Sequence, residues 1–219
     1  MESSPRRNPL RRALIGALLG APLGLAGGFV VARAVKRGMI APLEAWTGAD
    51  LFSLAIALGL VVSAGYAGWA ATSGRRWNQM VERLSPDEPV DPAALVSGRR
   101  QALVAGLAGA MMILPPVAAH AGLGDGARTL VAGVVALLLA VQTLANWRLW
   151  RDGDELTRAV IAQSGAACFW LLQLALFVWA TLTRLDLAPE ADAWTLMTVM
   201  MGVYLLIGTI ISARRGLVA

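Results

Sequence analysis

The sequence predicts an all-α polytopic membrane protein, a bundle of six transmembrane helices with one short amphipathic interfacial helix. Three observations predict it. The 219 residues are 57% apolar and only 15% charged, against roughly 45–50% and about 25% in soluble domains. Six windows, 13–32, 51–72, 102–123, 129–146, 159–182 and 194–212, contain no Asp, Glu, Lys or Arg. Each has the length, roughly 17–25 residues, that a helix needs to cross a bilayer core. The basic residues lie between these windows and fall mostly on one side.

That side sets the orientation. With both termini inside, the segments 1–12, 73–101, 147–158 and 213–219 hold 14 arginines, whereas the outer segments hold Arg33, Lys36, Arg37, Arg128 and Arg184. Basic loops are retained on the cytoplasmic face. The net charge of +5 is therefore spread along the loops, as in a membrane protein, and no nucleic-acid partner is expected. The bilayer is the first partner. Arg33, Lys36 and Arg37 dissent locally, and five spans would result if 13–32 did not cross. Arginine used almost to the exclusion of lysine, with abundant Ala and Gly, suggests a GC-rich bacterial genome. The expected location is the bacterial cytoplasmic (inner) membrane, multi-pass, with both termini cytoplasmic.

Residues 1–12 form a basic cytoplasmic N-terminus ahead of a single six-helix domain, 13–219. Ala32-Arg33-Ala34 resembles a signal-peptide cleavage site, but the apolar run before it exceeds the roughly 7–15 residues of a signal core, so 13–32 reads as an uncleaved span. Within it, Gly16, Gly20, Gly24 and Gly28 recur every four residues and form one stripe, the pattern of close helix packing. The stripe suits another span, a second copy or a different membrane protein. Gly65, Gly68, Gly106, Gly109 and Ala110 are candidates for the receiving surface. Between the second and third windows, Arg75 to Leu84 reads as the amphipathic helix, with Trp77, Met80, Val81 and Leu84 on one face. Ser85-Pro86-Asp87-Glu88-Pro89 breaks it. Asp91-Pro92 is an N-cap followed by proline at the first helical position, so the third helix starts before the membrane. Windows 102–123 and 129–146 must form a tight hairpin. Gly153 ends one helix and Asp154 caps the next. Trp69, Trp77, Trp147 and Trp150 fall at the inner boundary, and Trp46, Trp179 and Trp194 at the outer one, as interfacial indoles do; Trp170 lies mid-span.

Candidate chemistry is sparse. Pro115-Pro116 breaks the backbone ladder of the third span; it reads as a fixed kink, and in the alternative as the broken helix of a transport site. His120, the only histidine, has no acidic residue in any window to pair with and reads as an interfacial, hydrogen-bonded side chain. Gln142 and Asn146 share one side of the fourth span, where amides make interhelical hydrogen bonds. Asp152, Asp154 and Glu155 read as capping and arginine pairing. The lone Cys168 excludes an intrachain disulfide and a thiolate metal cluster. With no phosphate loop, zinc motif or nucleophile elbow, no enzyme, catalytic residue, metal or cofactor is expected.

Trp147 to Arg158 resembles a segment of small bacterial multi-span inner-membrane proteins of unknown function. In those, an aromatic-Arg pair closes one span and Asp-Glu-x-x-Arg opens the next; here Asp154-Glu155-Leu156-Thr157-Arg158 matches. The resemblance covers roughly the last 80 residues and implies no activity. Arg75-Arg76-Trp77 before Asp87-Glu88 faintly repeats the order, though the spacing differs by several residues. The functional expectation is a scaffold or accessory subunit acting through helix packing. The alternative is a small transporter or channel for a neutral or weakly polar solute, using Pro115, Pro116, His120, Gln142 and Asn146. Spans free of charge argue against ion coupling.

Overall fold

The computed structural model describes residues 33, 36–38, 42–82 and 84–215. The window 13–32, with Gly16, Gly20, Gly24 and Gly28, lies outside the described residues. A 3-10 turn, Leu43–Ala45, leads into α1, Gly48–Ala70. A four-residue turn, α2 (Gly74–Trp77), continues as a π turn over Asn78–Glu82. The remaining helices are α3 (Pro92–His120), α4 (Asp125–Asp152), α5 (Glu155–Arg184) and α6 (Ala193–Arg214). The five long ones, α1 and α3 to α6, are long and apolar enough to cross a membrane, with mean hydropathies of 1.8 to 2.0 over their best windows. Their outward faces carry large apolar side chains, among them Trp170, Leu174 and Phe177, at 68–72% exposure. A surface that apolar is stable against lipid and not against water.

Local signals place the helix ends. Thr47 and Asp50 form a reciprocal capping box at the start of α1. Asp91 caps α3, its Oδ1 accepting the Ala93 N–H at 2.9 Å, with Pro92 at the first helical position. Asp154 caps α5 and Asp192 caps α6, through the N–H groups of Thr157 and Thr195. The Thr157 hydroxyl and then its N–H hold the Asp154 carboxyl below the usual aspartate range, because both hydrogen bonds favour the charged form. Helix α3 stops at Gly122, whose φ of +60° is a backbone state open to glycine at little cost. Helix α5 ends in a Schellman motif with Asp186 in that state, φ 58°. There the Leu187 N–H reaches back to the Leu182 carbonyl at 2.8 Å.

Two expectations change in detail. The fourth span is the shortest apolar window, yet α4 runs 28 residues; its helical backbone continues through Trp147 to Asp152, past the apolar part. The segment 75–84 is not one amphipathic helix. It is a short α turn followed by a π turn, and Asn78 is fully buried, its Nδ2 donating to the carbonyls of Ser85 and Glu88 at 3.0 and 2.8 Å.

Helix α1 packs most extensively on α3, α3 on α4, and α5 on α6; α6 also meets α1, while α4 and α5 touch only lightly. The α1–α3 seam is built from small residues. A Cβ on Gly68 would lie 3.6 Å from Ala102, and one on Gly106 3.6 Å from Ala64. Gly109 is the closest approach: a Cβ there would be 2.7 Å from Val61 Cγ2 and 3.1 Å from the Ala57 carbonyl oxygen. Gly68, Gly106 and Gly109 therefore meet across the α1–α3 seam, while Gly65 has nothing within 4 Å; the 13–32 stripe that they are expected to receive lies outside the described residues. Without side chains in the way the backbones gain dispersion contacts, the main attraction between helices in lipid.

Where α3 begins, the Trp77 ring occupies the space over Gly98, so that a Cβ there would collide with it. Arg99 Nε donates to the Ala71 carbonyl at 2.9 Å. Asp152 pairs with Arg100 on α3 at 2.8 Å and with neighbouring Arg151 at 3.0 Å, so the acidic group acts in capping and arginine pairing as the sequence predicts.

Candidate functional site

A buried polar cluster sits where α1 begins and α3 ends. Trp46, immediately before the α1 cap, is 7% exposed, as is Asp50. Asp50 Oδ2 accepts from the Thr47 hydroxyl at 2.8 Å and the Thr47 N–H at 3.1 Å. His120 Nε2 lies 3.2 Å from the same oxygen. A carboxylate can only accept, so that ring nitrogen carries the hydrogen. The indole of Trp46 stacks on the imidazole, centroids 4.5 Å apart and planes 17° from parallel. The first turn of a helix favours a negative charge, which is why Asp50 suits this end of α1.

His120 is thus a hydrogen-bonded side chain, as the sequence predicts, and its partner is an acid that the sequence reading does not identify. Asp50 lies one residue before the apolar window 51–72 and so escapes a search confined to charge-free spans. The signal that finds it is the spacing Thr47-x-x-Asp50, a capping box.

One turn along α1, Ser53 is fully buried and its hydroxyl donates to the Met112 carbonyl at 2.7 Å. That carbonyl is the one Pro116 frees, because proline four residues later has no N–H to return. At Pro116 the freed acceptor is thus satisfied from the neighbouring helix. Asp50, His120 and Ser53 have the residue types of a nucleophilic triad, but the Ser53 proton goes to the backbone. Ser53→Ala is expected to cost about 1 kcal/mol. In a Pro116→Ala background the cost should fall close to zero, since the restored N–H of residue 116 takes over Met112. A denaturation double-mutant cycle measures this, and additive effects would refute the assignment.

The other sequence candidates are not gathered here. Pro115 faces a groove between α3 and α4, while Pro116 and His120 face α1. Gln142, half-buried, and Asn146, exposed, lie on α4 and make no hydrogen bond among the described residues, so their predicted interhelical bonds are not formed within the described part of the chain. Gln173, exposed on α5, is in the same condition. By contrast, Gln163 accepts from Arg215 at 2.7 Å and ties α5 to the end of α6. Buried and without a hydrogen-bond partner among the described residues are the Asn78 Oδ1, the Ser164 and Thr198 hydroxyls and the Trp194 N–H.

Comparison with known protein families, with curated proteins and with solved structures finds no match.

Proposed function

We propose that this chain is a non-enzymatic protein of the bacterial cytoplasmic membrane, with six spans and both termini inside. It acts as a scaffold or accessory subunit through helix packing. One observation carries the reading: the amides of Gln142, Asn146 and Gln173 lie on apolar helices with no hydrogen-bond partner among the described residues. An amide facing hydrocarbon leaves donors and acceptors unsatisfied, and a second helix removes that cost. Gln142 and Asn146 lie on α4 and Gln173 on α5, two helices that touch each other only lightly, and the glycine stripe in the sequence of 13–32 suits a further contact with a second copy or another membrane protein. The transporter alternative has less support, because the α3–α4 groove takes in Pro115 but not His120, Gln142 or Asn146.

Gentle extraction followed by native mass spectrometry tests the reading. A stoichiometric partner or homo-oligomer is expected, and Gln142→Leu with Gln173→Leu should weaken association by about threefold or more, the worth of one or two interhelical hydrogen bonds. A monomer whose behaviour the two substitutions leave unchanged would overturn it.

A further inference from the structure

The groove between α3 and α4 has a volume of about 690 Å³. Its α3 wall includes Pro115 and Ala119, and its α4 wall runs from Arg128 through Ala132 and Ala136 to Leu139. On α4 these positions recur at the spacing of one helix face. The stretch from Arg128 to Leu139 rises about 16 Å at 1.5 Å per residue, roughly half of a 30 Å hydrocarbon core. The slot therefore has the length of one leaflet. Alanines on both walls leave space that larger side chains would fill.

The one charged residue of the lining, Arg128, sits in the first turn of α4, where the helix enters the apolar layer. It forms no ion pair with Asp125 one turn before it, nor with any other described residue. An unpaired guanidinium above a one-leaflet apolar slot is complementary to a phosphate above an acyl chain.

We infer that the α3–α4 groove binds an anionic phospholipid, one acyl chain lying along Ala132 and Ala136 and the headgroup phosphate on Arg128. The inference rests on membrane insertion and is independent of the scaffold role. An anionic headgroup is preferred because it keeps the net negative charge that a zwitterionic one cancels.

The test reconstitutes the full chain in vesicles of equal phosphatidylglycerol and phosphatidylcholine with identical acyl chains. Flotation with the vesicles establishes insertion first. Detergent extraction and native mass spectrometry then count the retained lipid. Phosphatidylglycerol should be enriched about fivefold, the effect of one basic residue at the surface. Arg128→Gln should abolish that enrichment while a lipid is still retained, and Ala132→Leu with Ala136→Leu should displace both lipids. All three positions are exposed, so folding is preserved. Equal retention of the two lipids by the unaltered chain, or enrichment that survives Arg128→Gln, would overturn the inference. So would a floating protein that retains neither lipid, whose groove is then filled by protein such as 13–32.

Discussion

Replacing Gly109 by leucine is expected to push α1 away from α3 and to cost about 3 kcal/mol, the upper part of the range for overpacking a close-packed contact. The reason lies in what a side chain would meet. The first carbon alone would stand 2.7 Å from Val61 Cγ2 and 3.1 Å from the Ala57 backbone oxygen. Val61 can turn, but the Ala57 carbonyl belongs to a helix and can retreat only if α1 moves. That movement would also stretch the Ser53–Met112 hydrogen bond one turn away. Gly65→Ala on the same helix is the control: nothing lies within 4 Å of a Cβ there, and alanine gains up to about 1 kcal/mol of helix propensity. Unfolding in mixed micelles, followed by helicity, compares the two. Equal stabilities for Gly109→Leu and the unaltered protein would show that the α1–α3 seam is not close-packed.

Asp50→Ala should cost about 2 kcal/mol, since it removes half of the α1 capping box and strands the ring N–H of His120. Asp50→Asn should cost less, because an amide oxygen still accepts from Thr47 while the charge is lost. The discriminating measurement is the double variant with His120→Ala. If Asp50 and His120 act as one unit, the second substitution adds little once the first is made. Full additivity would mean that the carboxylate serves only as a cap and that His120 is held by stacking on Trp46.

Much of this architecture was legible in the residues. Asp91-Pro92 and Asp154 each cap a helix through a backbone N–H two or three residues on, so the signal and its effect occupy the same few positions. The apolar spacing of 75–84 fits a regular helix, whereas the place of Asn78 depends on the carbonyls of Ser85 and Glu88. The partner of His120 is hidden for a related reason: Asp50 lies one residue outside the apolar window 51–72.

The sequence by itself determined the helical class, the five long apolar helices among the described residues and most of their ends, because hydropathy and capping are sums over adjacent residues. Only the tertiary structure decided which helix meets which. Gly68, Gly106 and Gly109 carry the same signal as any small residue in lipid, and only packing shows that they serve the α1–α3 seam. Asp50 finds His120 across 70 positions and Ser53 finds Met112 across 59. No local pattern encodes such pairings. They follow from two helices approaching closely enough that polar groups removed from water come within hydrogen-bond reach of each other.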